Sequence, residues 1–241
     1  MEVSIIVTAY NYEKYLAECI ESCINQVNTK LRYEVIVVDD GSQDKTDSIL
    51  ENLNSPILRK FRIPNSGIEI ASNFGFEKAE GKYVVRVDAD DKLAPNFLSS
   101  IEPYLSDSYG FIYSNYFQID SDGVILNQVG LPDFDENEII GRGDFLATGT
   151  VYQKEILSRV GYYPTKEKNT GLENFELILN LLRQGVKGFL VSECLFYYRR
   201  HSANLSEIKR NRIIEYGVKL LKERGLGTFR TNKNHPYGLV V

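Results

Sequence analysis

Tryptophan is absent from this chain of 241 residues, and methionine, histidine and cysteine are scarce, with one, two and three residues. Three cysteines are too few for the disulfide framework that holds many small secreted domains together. Cys19 and Cys23 stand one helical turn apart among apolar neighbours, so we expect packed core thiols rather than a metal-binding pair. This pattern favours a reducing, cytoplasmic location.

Long apolar runs are also missing. No stretch approaches the roughly 18–20 apolar residues that a membrane-spanning helix needs. The opening residues, Met1 to Ser4, lack the basic segment that begins a signal peptide. We therefore expect neither a leader sequence nor a membrane span.

A basic excess is missing from most of the chain. The net charge is −5, yet residues 207–241 carry eight Lys/Arg and three Asp/Glu. That leaves 20 Lys/Arg against 30 Asp/Glu, a net charge of −10, in residues 1–206. Nucleic-acid-binding domains are typically basic, so we expect no nucleic acid among the partners.

What the chain does have is an alternation of apolar strands and helices. The predicted strands cover residues 3–7, 33–38, 58–63 and 83–87, and the predicted helices between them cover residues 16–24, 46–53 and 68–79. This alternation predicts an α/β fold with a parallel sheet between layers of helices. Ligands of such sheets bind beyond the carboxyl ends of the strands.

Polar residues stand at three of those carboxyl ends. They are Thr8 and Tyr10 after the first strand, Asp39 and Asp40 after the second, and Asp88, Asp90 and Asp91 after the fourth. Three carboxylates this close repel one another unless a cation neutralises them. Oxygen ligands suit Mg²⁺ or Mn²⁺, and a solvated acidic turn is the alternative that this stretch leaves open.

The segments Val3–Asn11, Val37–Asp44 and Val87–Asp91, together with residues 65–81, resemble the GT-A glycosyltransferases of family 2 over roughly residues 3–205. The resemblance implies a mostly parallel central sheet flanked by helices, with a small antiparallel portion on the acceptor side. It also implies a nucleotide-sugar donor and a glycan or lipid-linked acceptor. The Gln-x-x-Arg-Trp signature of processive synthases needs a tryptophan, so we expect transfer of single sugars.

The resemblance assigns roles at the strand ends. Thr8 and Tyr10 would frame the base of the donor, and Asp39 or Asp40 would accept a hydrogen bond from its ring nitrogen. Asp88 and Asp90 would form the Asp-x-Asp element, in which Asp88 contacts the donor nucleotide and Asp90 binds Mn²⁺ or Mg²⁺.

A segment near the end of the resemblance, residues 197–202, is similar to the closing Tyr-Arg-x-His element of the family. It implies that His201 binds the metal or the diphosphate, and a structural role for His201 stays open. Arg199 and Arg200 would pair with phosphate oxygens.

The general base of the family is one of two adjacent acids, which correspond here to Glu173 and Asn174. The resemblance therefore implies Glu173 as the catalytic base, with Glu176 in reserve, while Asn174 leaves a catalytically inactive homologue as an alternative. The family often has an arginine where Ser72 stands, and either Lys78 or Arg86 is a candidate replacement.

We therefore expect an inverting, metal-dependent glycosyltransferase that uses a UDP-sugar, or less readily a dTDP- or GDP-sugar. A nucleotidyltransferase is the enzymatic alternative, although the segment after the first strand, Thr8-Ala9-Tyr10-Asn11, lacks the glycine-rich phosphate loop that it needs.

The chain divides into an expected transferase domain, residues 1–206, and a basic helix and tail, residues 207–241. In the tail, Ile214, Val218 and Leu221 share one face of the predicted helix. This face either packs on the body of the protein or lies on the anionic inner face of the membrane, where it would serve a lipid-linked acceptor.

Overall fold

The computed structural model describes residues 1–142, 148–202, 204 and 208–230. Strands and helices alternate through the first half, as the sequence predicts. In chain order the elements are β1 (Val3–Ala9), α1 (Leu16–Ile24), β2 (Tyr33–Asp39), α2 (Thr46–Asn52), β3 (Leu58–Arg62), α3 (Ile68–Lys78), β4 (Tyr83–Asp88), β5 (Lys92–Leu93), α4 (Phe97–Ile101), a 3₁₀ turn (Glu102–Tyr104), β6 (Phe111–Ile119), β7 (Ile125–Val129), α5 (Glu136–Arg142), β8 (Val151–Gln153), α6 (Lys154–Val160), α7 (Glu173–Arg183), β9 (Gly188–Arg199) and α8 (Arg210–Arg224).

One sheet of nine strands runs through the described residues in the order β3-β2-β1-β4-β8-β6-β9-β5, with β7 paired to β6. The strands β3, β2, β1 and β4 are mutually parallel. Beyond them β8 is antiparallel to both β4 and β6. The predicted mixed sheet, parallel on one side and partly antiparallel on the other, is confirmed.

Helices cover both faces of the sheet. Along β1, Val3, Ile5 and Val7 face a core that includes residues of α1 and α4, while Ile6 faces a second core that includes residues of α3, α6 and α7. Successive side chains of a strand point to opposite faces. Burial on both faces explains why the parallel strands read as continuous apolar runs in the sequence.

The C-terminal helix α8 packs on the body of the protein, in the same core as α3 and α7. The predicted apolar face is partly wrong, because Val218 is 43% exposed. The buried residues of the helix are Ile213, Gly217, Leu220 and Leu221. Phe229 crosses the helix so closely that a Cβ on Gly217 would lie 2.6 Å from its ring, so the buried face of the helix includes Gly217 rather than Val218.

None of the helices in the described part of the chain has the length and apolar character that crossing a bilayer requires.

Candidate functional site

Strand pairing brings the predicted polar ends together. Thr8 on β1 lies opposite Val38 on one side and Asp88 on the other, and Ala9 lies opposite Asp39. The residues after β1, β2 and β4 therefore meet at one edge of the sheet, as expected for parallel strands.

A cavity of about 550 Å³ opens at this edge. Six of the eight predicted site residues line it, and they come from the ends of β1, β2 and β4 and from the start of α7. These six are Thr8, Tyr10, Asp40, Asp88, Asp90 and Glu173. Among the described residues, Asp39 and His201 are outside the cavity lining, and Arg86, Asn169, Asn174 and Lys209 join it.

The two adjacent aspartates after β2 differ in position. Asp39 is fully buried, its Oδ1 accepts a hydrogen bond from the Ser42 N–H at 2.9 Å, and its Oδ2 lies 3.5 Å from Nε of Arg62. Asp39 therefore holds the turn after β2, including Gly41, whose φ is +75° and whose Cβ would lie 2.8 Å from a backbone nitrogen. Only glycine suits that position.

Asp40 is the aspartate of this pair that reaches the cavity. Its two oxygens accept the backbone N–H groups of Ser66 (2.8 Å) and Gly67 (2.9 Å). Burial raises the pKa of Asp40, although these two hydrogen bonds oppose the rise. Each carboxylate oxygen retains a second lone pair, so Asp40 can accept a further hydrogen bond from a ligand.

Tyr10 and Thr8 flank this region of the cavity. The Tyr10 side chain is 42% exposed, which leaves its ring available for stacking. The Thr8 hydroxyl is buried and makes no hydrogen bond to the described residues. A buried hydroxyl without a partner is costly, so a ligand that bonded to it would be stabilised.

The three carboxylates after β4 have different partners. Asp88 pairs with Arg86 Nη2 at 3.1 Å and accepts the Thr148 hydroxyl at 3.1 Å, and Asp90 Oδ2 lies 3.0 Å from His201 Nε2. Asp91 does not line the cavity and accepts the backbone N–H of Arg199 at 2.9 Å. Burial, opposed at Asp88 by Arg86 and reinforced by the neighbouring carboxylates, raises the pKa of Asp88 and of Asp91. A solvated acidic turn is excluded, because Asp90 and Asp91 are buried.

Arg199 does not have the predicted role of a phosphate ligand. Its side chain is 1% exposed and donates to the Asp90 backbone carbonyl at 2.8 Å and to Glu18 at 2.5 Å. Arg199 thereby fixes the Asp90–Asp91 segment against β9.

The fit of these residues to a divalent cation is partial. No group of three or more His, Cys, Asp or Glu side chains among the described residues is arranged to hold a metal ion. Asp88 and Asp90 supply hard oxygen ligands, and Mg²⁺ commonly takes one or two carboxylates together with substrate phosphates. The site therefore suits an ion that arrives with a diphosphate.

Glu173 is the first residue of α7 and lies at the cavity wall with 8% exposure. Its Oε1 lies 3.2 Å from Nη1 of Arg86, and its buried Oε2 has no hydrogen-bond partner among the described residues. The reserve candidate Glu176 lies elsewhere, bound to Arg224 at 3.0 Å and to the Tyr216 hydroxyl at 2.6 Å. Glu173 is thus the candidate of the two that lines the cavity.

Asn174, which replaces the second acid of the family pattern, has a partner of its own. Its Oδ1 accepts the hydroxyl of Tyr163 at 2.6 Å, and the Tyr163 ring lies beneath the Arg86 guanidinium, 5.3 Å from ring centre to Cζ. An amide oxygen serves this contact without adding a further buried charge beside Glu173.

Thr148 and Asn204 are site neighbours that the sequence did not reveal. Asn204 Nδ2 contacts Asp90 Oδ2 at 3.4 Å and the Arg199 carbonyl at 3.1 Å. Asn204 opens an Asn-Leu-Ser sequon and Thr148 begins the segment before β8, but neither pattern indicates this contact, because both residues reach the site through tertiary packing. Lys209, at the N-terminus of α8, was also missed.

The sequence profile of the family described as "Glycosyl transferase family 2" matches residues 4–161. The chain belongs to this family. Chondroitin synthase of Pasteurella multocida (strain Pm70) is 33% identical over 142 residues, which cover 57% of this chain and only 14% of that protein. The Escherichia coli protein WfaP, named UDP-Glc:alpha-D-GlcNAc-diphosphoundecaprenol beta-1,3-glucosyltransferase, is 29% identical over 228 residues, which cover 93% of this chain and 87% of that protein.

Two solved structures of glycosyltransferases share the fold. Residues 1–349 of TarS from S. aureus, in complex with UDP-GlcNAc, superpose with a TM-score of 0.75 at 21% identity, over 92% of this chain and 66% of that chain. The mannosyltransferase PcManGT from Pyrobaculum calidifontis, in complex with GDP-Man and Mn²⁺, gives a TM-score of 0.71 at 18% identity, over 97% and 66% of the two chains. The predicted GT-A fold is confirmed.

Proposed function

We propose that this member of the family transfers a single sugar from a UDP-sugar to a hydroxyl of a glycan or lipid-linked acceptor, with inversion at the anomeric carbon. The observation that carries the proposal is the convergence of four carboxylates on one cavity. Asp40, Asp88, Asp90 and Glu173 stand on separate elements or loops and share it with an exposed aromatic ring, Tyr10.

The base of the donor is proposed to lie between Thr8 and Tyr10. Tyr10 stacks on the base, and Asp40 accepts the imide N–H of uracil in a hydrogen bond that the charge of the carboxylate strengthens. Asp39 is fully buried and does not line the cavity, so of the two predicted aspartates we assign the contact to Asp40. Thymine and guanine also carry a ring N–H, so dTDP- and GDP-sugars are the competing donors.

The diphosphate is proposed to lie beside Asp88 and Asp90. Both carboxylates would hold Mn²⁺ or Mg²⁺, with His201 paired to Asp90 and fixing its orientation. The ion would neutralise negative charge that grows on the leaving nucleoside diphosphate. Support for a divalent ion comes from the oxygen donor set and from the Mn²⁺ in the mannosyltransferase structure.

Glu173 is proposed to act as the general base. It accepts the proton of the acceptor hydroxyl as that oxygen attacks the anomeric carbon from the face opposite the diphosphate. One C–O bond forms, the bond to the diphosphate breaks, and the proton stays on Glu173. Asn174 supports the site by binding Tyr163, so the missing second acid does not by itself remove the base.

A panel of donors and acceptors tests this function. Purified protein with Mn²⁺ is incubated with UDP-, dTDP- and GDP-sugars and with GlcNAc-diphosphoundecaprenol, the acceptor in the name of WfaP, or short oligosaccharides. We expect UDP release that depends on both acceptor and metal. Binding of UDP and Mn²⁺ without transfer to any acceptor would instead support the inactive homologue, and product carrying a new nucleotidyl group would support the nucleotidyltransferase.

We also propose that the outer side of α8 contacts an anionic membrane surface. Val218 and Lys222 are exposed there, while the opposite face packs in the core. A Val218→Ser, Lys222→Glu variant preserves the buried face and should bind vesicles of anionic phospholipid less than the parent in sedimentation assays. Equal binding of both proteins would remove α8 from the membrane contact.

A further inference from the structure

Arg86 is a buried cation in the wall of the cavity. It lies on β4, the strand between β1 and β8, and its side chain is only 3% exposed. Burying a guanidinium is costly unless charged partners offset the loss of water. The partners of Arg86 therefore indicate what offsets the cost of burying its charge.

Two carboxylates on different elements share this guanidinium. Nη2 lies 3.1 Å from Asp88 at the end of β4, and Nη1 lies 3.2 Å from Glu173 at the start of α7. Nε is buried without a hydrogen bond to the described residues. The planar fork of arginine spans two acceptors in fixed directions, whereas the ammonium of lysine is a single point charge.

A separate set of contacts holds the guanidinium in this orientation. The Tyr163 ring lies against it, with the ring centre 5.3 Å from Cζ. Asn73 fixes the backbone of Tyr163 through two hydrogen bonds of 2.9 Å, and the Tyr163 hydroxyl donates to Asn174. Helix α3, the turn after α6 and helix α7 thus converge on one side chain.

From these contacts we propose that Arg86 is a positioning residue that holds the Glu173 carboxylate at the cavity wall and joins it to the donor-side carboxylate Asp88. The inference rests on the proposed function of Glu173 as general base. Arg86 occupies Oε1 and leaves Oε2 without a protein hydrogen bond, so the ion pair selects which oxygen is available to the acceptor hydroxyl. A rotated carboxylate would lose this alignment, and small misplacements of reacting groups can cost about 10²-fold in rate.

A double-mutant cycle tests the proposal. Arg86→Lys, Glu173→Gln and the double variant are compared with the parent for kcat of UDP-sugar transfer, for acceptor KM, and for binding of UDP with Mn²⁺. Arg86→Lys should lower kcat by about 10–100-fold with UDP affinity within a few-fold of the parent. In the Glu173→Gln background the same change should have almost no further effect on kcat, since the group being positioned is gone.

Arg59→Lys is the matched control. Arg59 also pairs with a buried glutamate, Glu34 at 2.6 Å, but on strands β3 and β2 away from the cavity. It controls for loss of an arginine fork, and its kcat should match that of the parent. If Arg86→Lys does not fold, Arg86→Gln keeps an N–H donor without the charge and enters the same cycle.

Two outcomes separate the inference from the function on which it rests. Independent, multiplicative losses of kcat in the double variant would overturn the positioning role of Arg86 while leaving the transferase proposal intact. A parent that binds UDP and Mn²⁺ but transfers no sugar to any acceptor would overturn the transferase proposal, and the inference about Arg86 would fall with it.

Discussion

The donor half and the acceptor half of the cavity are built in different ways. In the donor half, site residues follow parallel strands, and their proximity results from strand register, as when Thr8 lies opposite Asp88. In the acceptor half, Glu173 begins a helix and pairs with Arg86, which stands 87 positions earlier in the chain, while Tyr163 packs against the same guanidinium. Strand register alone can therefore assemble a binding edge, whereas the position of Glu173, the proposed base, depends on tertiary contacts.

The largest expected effect lies in the acceptor half. Glu173→Gln should lower kcat by about 10²–10⁴-fold, because an amide cannot take the proton of the acceptor hydroxyl. Affinity for UDP with Mn²⁺ should stay within a few-fold of the parent, measured by calorimetry. Glu176→Gln is the matched control, since Glu176 pairs with Arg224 outside the cavity lining and should retain activity. Equal rates for Glu173→Gln and the parent would contradict the role of Glu173 as general base and the assignment of catalysis to the acceptor half.

The donor half of the cavity was more predictable from the sequence than the acceptor half. The strands, their parallel arrangement and the polar residues at their carboxyl ends were predictable, because apolar runs and sheet geometry determine them locally. The resemblance to a family pointed to Glu173, but its pairing with Arg86 was not predictable. That contact joins residues 87 positions apart through the packing of a helix on a strand.

Within the donor half, the sequence could not distinguish the roles of the two adjacent aspartates. Asp39 and Asp40 were equivalent candidates from sequence, since both follow the same strand. In a strand, successive side chains point in opposite directions. Asp39 therefore binds the turn and Asp40 faces the cavity, a distinction that depends on where the strand ends.

The metal prediction is next in size and lies at the donor end. Asp90→Ala should abolish the Mn²⁺-dependent part of the thermal stabilisation by UDP. A ligand at 100 times its Kd stabilises a protein by about 2.7 kcal/mol, so the lost shift is measurable by scanning fluorimetry. The melting temperature without ligand serves as the control for folding. A full Mn²⁺-dependent shift in the variant would contradict the role of Asp90.

The two aspartates after β2 provide the third prediction, a comparison within the donor half. Asp40→Asn should weaken UDP binding by roughly tenfold, because a hydrogen bond to a charged group contributes about 1.5–3 kcal/mol. Asp39→Asn should instead lower the melting temperature, since it loses the ion pair with Arg62. Calorimetric titration and thermal unfolding of both variants separate the two effects. The reverse pattern would mean that Asp39, and not Asp40, accepts the hydrogen bond from the uracil ring.

The smallest expected effect concerns Glu69, which joins the two halves behind the cavity. Glu69 is fully buried on α3, its Oε1 accepts the backbone N–H of Asn169 at 2.6 Å, and its Oε2 has no hydrogen-bond partner among the described residues. Burial first, and then the nearby charge of Glu173, raise the pKa of Glu69 above its ordinary value of 4.5. The folded protein therefore binds this proton more tightly than the unfolded chain does.

The sign of the pH dependence follows from that difference. As pH rises from about the ordinary carboxyl pKa through the raised pKa of the folded state, the folded protein loses a proton that the unfolded chain has already released, so stability falls.

Glu69→Gln keeps the acceptor for Asn169 and removes the buried charge. Its melting temperature should exceed that of the parent by a few degrees at pH 7.5, and the difference should shrink towards pH 4. Glu77→Gln, an exposed position on the same helix, should show no such convergence. A Glu69→Gln variant that is less stable than the parent at pH 7.5 would mean that the ionised carboxylate itself holds the two halves together.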